Sequence, residues 1–374
     1  MNDQEREFLK FLAMNLYAYS EEPPEAVLAE AKRHAVQSLM STGTAALSVF
    51  ANNVRVEHQQ KEIASVLTVP YVILKGSAAA MYYPEPARRA LGDIDILPLR
   101  GHFDEAYQQL LAAGYALDTQ EDADDRHVHL QKNGVPIELH QRYASFNTKQ
   151  EEELLDGWIF DSTPRMVKVA DYQIPVAPEP INGLILLNHI SYHLEGGLGI
   201  RQIIDWVMYV KTQLPDEKWE EFKALSDQLG LTTLAKVTAR LGQLYLSLPT
   251  EGYSWCTDVD ESLCTDLMDY IFESGNFGRK GGVNNAATRV LSQGNQGFFR
   301  NLQLRGEENW KALKRHPGLK CFAWLYQAFR YVAQGLKHGV RFADMKNNYS
   351  ASRNRNRLMR RLNARQQAEV DKNK

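Results

Sequence analysis

Cysteine is scarce in this 374-residue chain: Cys256, Cys264 and Cys321 all fall in the second half, with no Cys-x-x-Cys pair. Neither a disulfide framework nor a zinc-binding cysteine set is indicated by that spacing. Long apolar runs are missing too, and none approaches the roughly 20 residues needed to span a bilayer. The first residues, MNDQEREFLKFLAMNL, carry Asp3, Glu5 and Glu7 where a secretion signal would be basic, so a cytoplasmic protein is expected. No internal repeat at a fixed period appears, which sets repeat arrays aside. Charge of one sign is also lacking, since the formal net charge is only -3. That small value hides an asymmetry: residues 351–374 carry net +6, leaving about -9 on the rest. An apolar share of 44% and a charged share of 24% fit an ordinary soluble globular protein of two or three domains, or one large one.

What is present centres on Pro70 to Arg100, PYVILKGSAAAMYYPEPARRALGDIDILPLR. It reads as an apolar strand, a Lys-Gly-Ser turn, a short helix, a loop with two arginines, and a second strand carrying Asp93 and Asp95. Side chains alternate along a strand, so Asp93 and Asp95 share one face while Ile94 and Ile96 enter the core. Two carboxylates about 7 Å apart on a strand suit Mg²⁺ and the polyphosphate it accompanies.

The surroundings divide by periodicity. Residues 1–66 read as helical, with helices at 5–18, from Pro23-Pro24 to about Met40, and at 44–65. Residues 67–178 alternate short strands and helices: strands at 70–74, 93–98, 115–118, 127–132, 135–142 and 172–176, helices at 77–83 and 102–113. Asn133-Gly134 between two strands is a strong hairpin signal, and it places Pro136, Glu138 and His140 on one face. Residues 179–348 return to helical periodicity, and 349–374 form a basic polar tail. The expected class is therefore α+β: a small mixed sheet, a helical preface, and a large all-helical C-terminal part.

Glycine at a strand-to-helix turn lets backbone N–H groups approach an anion, which gives Gly76 and Ser77 a phosphate-binding reading. Glu138, on a strand expected beside the Asp strand, would complete a carboxylate triad or accept the proton of an attacking hydroxyl. Together, a Gly-Ser turn, an Asp-x-Asp strand and a third carboxylate resemble the DNA polymerase β-like nucleotidyltransferase superfamily. The stretches LKGSAAAMYYPEPARRALGDIDIL, IELHQRY, LLNHISYH, GIRQIIDW and ESGNFG resemble its family of uncharacterised bacterial nucleotidyltransferases. That resemblance implies that Gly76 and Ser77 hold the β- and γ-phosphates of an NTP, with ATP expected, and that Asp93 and Asp95 bind Mg²⁺ or Mn²⁺. It puts Glu138 in the third-carboxylate place, where many members have Asp, and gives Arg89 a phosphate contact.

Structural alternatives stand beside each assignment. Asp-x-Asp is often a solvated strand face, Lys75 reads equally as a phosphate ligand or a surface lysine, and Arg88-Arg89 could be a solvated pair. His140 suits either a carboxylate orienter or a half-buried structural histidine. His189 and His193 have the spacing of a metal clamp but lack the glutamate of a zinc-protease motif, so a structural or acceptor-pocket role is expected. Arg201 and Asp205, four apart, suit an intrahelical pair or a nucleotide contact. Residues 273–280 form a connecting turn or a loop at the site, and the aromatic stripe at 318–342 reads as core or as a surface helix. The acidic body favours a small-molecule or protein acceptor; the basic tail alone would suit RNA. A catalytically silent nucleotide-binding or regulatory module of the same fold is the competing reading.

Overall fold

The computed structural model describes residues 1–118, 126–146, 148–169, 171–275, 302–303, 306–307, 309–314, 316–337, 357–358 and 361–362. Residues 276–301, which hold part of the 273–280 turn or loop and a stretch of the expected helical region, and most of the basic tail lie outside the described residues. The chain divides into two compact units, Met1–Tyr192 with Ile200–Met268, and His193–Gly199 with Asp269–Lys374.

The helical preface opens with α1 (Asp3–Asn15), whose first turn is closed by a reciprocal pair: Glu5 N–H donates to Asn2 Oδ1 and Asn2 N–H to Glu5 Oε2, each at 2.9 Å. The second expected helix is two pieces, α2 (Glu25–Arg33) and α3 (Gln37–Met40), because the chain turns at Ala35 with φ at 56°. Next comes α4 (Thr44–Val66), which buries Val49, Val56 and Ile63 on one side.

After it the chain forms β1 (Tyr71–Leu74), α5 (Gly76–Ala80), β2 (Ile94–Pro98), α6 (Phe103–Ala112), β3 (Ala116–Leu117), β4 (His127–Lys132) and β5 (Val135–His140). The five strands lie in the order β1-β2-β5-β4-β3, with β2 and β5 parallel and the other neighbours antiparallel. The mixed sheet follows from the connections. The Asn133-Gly134 turn, φ 54° and 73°, is short enough for an antiparallel hairpin, whereas β2 reaches β5 only through α6 and the β3–β4 excursion.

Period-two alternation sorts the sheet into two faces. Ile94, Ile96, Leu130, Ile137 and Leu139 fall on one face, in a core that also holds Val56 and Ile63 of α4 and Ala106 and Leu110 of α6. Asp95, Glu138, His140, His127 and His129 occupy the other face by the same register. Burying the apolar row thus fixes which way the polar row points.

Two elements were not evident from the sequence: α7 (Lys149–Phe160) and β6 (Arg165–Val169), which pairs with β7 (Tyr172–Val176) in a separate two-stranded sheet. The helices α8 (Ile181–Gly196), α9 (Ile200–Gln213), α10 (Asp216–Gln228), α11 (Thr232–Tyr245) and α12 (Glu261–Ser274) match the helical periodicity closely. The 318–343 segment begins as a 3₁₀ turn, Pro317–Phe322, and continues as α13 (Ala323–Lys337). Of its aromatic stripe Phe322, Leu325 and Phe329 are exposed, while Trp324 and Tyr326 are half-buried.

Candidate active site

The corner between β1 and α5 sets the site's first cation. Lys75 and Gly76 both take positive φ, 47° and 35°, so the chain reverses sharply at the strand end. A non-glycine residue seldom adopts that conformation, and Lys75 does so with its ammonium 2.7 Å from Asp95 Oδ1. Burial alone would lower the Lys75 pKa, but the carboxylates of Asp95, Asp93 and Glu138 outweigh it and hold the ammonium well above its ordinary value.

Two of those carboxylates, Asp95 and Glu138, meet through strand register. Asp95 on β2 lies directly opposite Glu138 on the parallel strand β5. Asp95 is 2% exposed, Glu138 is half-buried, and Asp93, immediately before β2, is exposed. His140 joins the two acids: its Nε2 is 3.0 Å from Asp95 Oδ1 and 3.4 Å from Glu138 Oε2. Burial would lower the His140 pKa, yet its bonds to Asp95 and Glu138 raise it. Glu138 shows the opposite balance: burial would raise its carboxyl, and His140 and Lys75 hold it well below the usual carboxylate range. The ligand atoms of Asp95, Glu138 and His140 lie within 4.8 Å of one another. The two carboxylates are oxygen donors that suit a divalent cation such as Mg²⁺ or Mn²⁺, and His140, whose Nε2 meets both, orients them.

The loop leading to Asp93 is tied down from both sides. Asn53 on α4 donates to the carbonyls of Ala87 and Arg89 at 2.8 and 2.9 Å, and its Oδ1 accepts the Leu91 N–H at 2.9 Å. Asn52 donates to the Leu91 carbonyl at 2.9 Å. Arg88 is buried and donates to the carbonyls of Ser38 and Leu39, anchoring the loop to α3. From α9, Asp205 accepts Arg89 Nε at 2.9 Å, an Arg89 terminal nitrogen at 2.6 Å and the Tyr83 hydroxyl at 2.7 Å. The helical preface and α9 therefore shape the loop without supplying carboxylates to the site.

Several expected residues sit differently from one another. Ser77 is buried, with its hydroxyl hydrogen-bonded to Gln60 at 2.9 Å and near Tyr172 Oη at 3.4 Å. Arg89 is bound bidentately to Asp205. That leaves Arg201, which donates to the Ala90 carbonyl at 3.2 Å and keeps a buried Nε without a hydrogen-bond partner. Burial and the neighbouring Arg89 lower its pKa, partly offset by Asp205 and Asp93, so its guanidinium senses the Asp93 carboxylate. The intrahelical spacing of Arg201 and Asp205 does not produce the expected pair, because Arg89 and Tyr83 occupy the carboxylate. His189 and His193 lie on α8, and neither belongs to a cluster of three ligand atoms found among the described residues.

Two residues that sequence reasoning passed over stand beside Glu138. His127 and His129 share a face of β4, their Nε2 atoms 2.9 Å apart, with His129 directly opposite Glu138 and His127 opposite His140. The signal for them was present: a two-residue turn at Asn133-Gly134 dictates both cross-strand pairs.

With this geometry in place, the class is a nucleotidyltransferase-like α+β domain embedded among helices. The chain belongs to the uncharacterised nucleotidyltransferase family, whose profile matches residues 21–247. Among solved structures it is similar to an antigenic nucleotidyltransferase-like protein from Paracoccidioides brasiliensis, at 14% identity over 56% of this chain and 98% of that chain, with a TM-score of 0.32. No curated protein matches it.

Proposed function

We propose that this protein transfers a nucleoside monophosphate from an NTP, ATP being the expected one, to an acceptor hydroxyl, with release of pyrophosphate. The observation that carries this reading is the register of β2 and β5, which sets Asp95 against Glu138 in front of the Lys75-Gly76 corner. Family membership supports it.

In this mechanism the acceptor oxygen attacks the α-phosphorus, its bond to phosphorus forms, and the bond to the β-phosphate bridging oxygen breaks. Glu138 takes the acceptor's proton; a carboxylate ionised well below neutral pH is a weak base, so it acts on a hydroxyl already acidified as its bond to phosphorus forms. Asp93, Asp95 and Glu138 would hold Mg²⁺ or Mn²⁺, which when bound supplies charge stabilisation to the attacking and leaving oxygens. The backbone N–H groups at Gly76 and Ser77 receive phosphate oxygens, since the Ser77 hydroxyl is engaged with Gln60. Lys75 balances the carboxylates within the cluster rather than reaching outward. Arg201, held by a single carbonyl, is the cation placed for substrate phosphate; Arg89 fixes the loop through Asp205. His140 orients Asp95 and Glu138.

The acidic balance outside residues 351–374, about -9, favours a small-molecule or protein acceptor over RNA. The test uses NTPs labelled separately at the α- and γ-phosphates, with Mg²⁺ or Mn²⁺ and a cell extract. Label from the α position should become attached to an acceptor while γ label leaves as pyrophosphate. Transfer of the γ label instead would make the protein a kinase and overturn the reading.

A further inference from the structure

Beside the carboxylate cluster lies a second group of ligand atoms with a different chemistry. His127 and His129 are two apart on β4, and the antiparallel register sets His129 against Glu138. The ligand atoms of His127, His129 and Glu138 all lie within 4.8 Å of one another, and all three residues are half-buried. The two imidazole Nε2 atoms approach to 2.9 Å. Without an ion, one ring must donate a proton to the other, and the pair cannot hold two ring protons in that gap. An ion would replace that shared proton, with both Nε2 atoms already close enough to serve one centre.

We propose that His127, His129 and Glu138 form a binding site for one borderline transition-metal dication of the Zn²⁺ type, distinct in preference from the Asp95-Glu138-His140 group. Two imidazoles and one carboxylate are the protein ligands of an open tetrahedral zinc site, with the fourth position left for water or a substrate oxygen. Imidazole nitrogen favours Zn²⁺ and Co²⁺ over Mg²⁺, which keeps to oxygen ligands. The strand scaffold suits the role, because register and pleat hold the three side chains on one face without loop ordering. Glu138 belongs to both groups, so an ion at His127 and His129 would share this carboxylate with the Asp95 cluster. The site stands on its own ligands and does not depend on nucleotidyl transfer being the reaction.

The test is Co²⁺ titration of metal-stripped protein, read by visible d–d absorption and without nucleotide. Wild type should develop an intense band at one equivalent of Co²⁺, bleached by one equivalent of Zn²⁺ and unaffected by excess Mg²⁺. The band should be lost in His129→Gln and His127→Gln and retained in His189→Gln. Asp93→Asn should also keep it while losing transfer, so that failure of this site and failure of the nucleotidyltransferase reading show separately. If the histidine variants do not fold, zinc-edge X-ray absorption on wild type decides the matter. A shell containing two imidazole nitrogens supports the site. An all-oxygen shell, or a folded wild type that binds no Zn²⁺, overturns it.

Discussion

Arg89 and Asp205, 116 residues apart, meet as a buried bidentate ion pair at 2.9 and 2.6 Å. The pair fastens the loop that ends at Asp93 to α9. Breaking one side strands the other charge away from water, which typically costs about 3–5 kcal/mol. Asp205→Ala should therefore lower stability by about that amount in urea denaturation, whereas the double change Arg89→Met with Asp205→Leu should recover much of it. An Asp205→Ala variant as stable as wild type would show that the pair is not buried as described.

Asn53 offers a second handle on the same loop. Its amide satisfies three backbone groups, the Ala87 and Arg89 carbonyls and the Leu91 N–H. Asn53→Ala leaves those groups without their partner, at about 1–3 kcal/mol for each one kept dry. Loss of stability together with a drop in kcat is expected, although Asn53 touches no substrate. Unchanged kcat in a folded, destabilised variant would separate loop position from catalysis.

The two aspartates should respond differently to amide substitution. Asp95 is buried against Lys75 and His140, so Asp95→Asn removes charge from a paired network and should lower thermal stability as well as transfer. Asp93 is exposed, and Asp93→Asn should leave the melting temperature nearly unchanged while abolishing transfer. Equal destabilisation of both variants would contradict the placement of Asp93 outside the buried network.

Glu138 gives a pH signature in metal-free protein. Its folded pKa is held at about 2 against an ordinary 4.5, burial being outweighed by His140 and Lys75. A depressed carboxylate stabilises the fold above its unfolded pKa, and that contribution fades as pH falls from about 4.5 towards the folded value. Glu138→Gln should thus be less stable than wild type at about pH 6 and closer to it at about pH 3, by urea denaturation. A stability gap that widens on acidification would reverse the assigned sign.

Much of this architecture was legible in the chain itself, for identifiable reasons. Asp-x-Asp between isoleucines and the Asn-Gly turn are local signals, and burial of the apolar row fixes the facing of Asp95, Glu138 and His140. The strand at 172–176 was legible, but its partner β6, RMVKV, was not because it is short and largely exposed, and α7 was hidden by its wealth of charge. The arginine roles could not be read from spacing. Arg201 and Asp205 are one helical turn apart, yet Asp205 is taken by Tyr83 and Arg89 from a distant loop. Ser77 gave a phosphate-binding pattern, but its hydroxyl meets Gln60, a partner supplied by α4 across the fold.

The central claim is that Asp93, Asp95 and Glu138 serve nucleotidyl transfer. Its most direct measurement is pyrophosphate release from NTP by wild type and Asp93→Asn side by side, with Mg²⁺ or Mn²⁺ and cell extract. The account predicts release coupled one-to-one to labelled acceptor in wild type and none in the variant. Equal release by both proteins, or none by a folded wild type with any NTP, would contradict it.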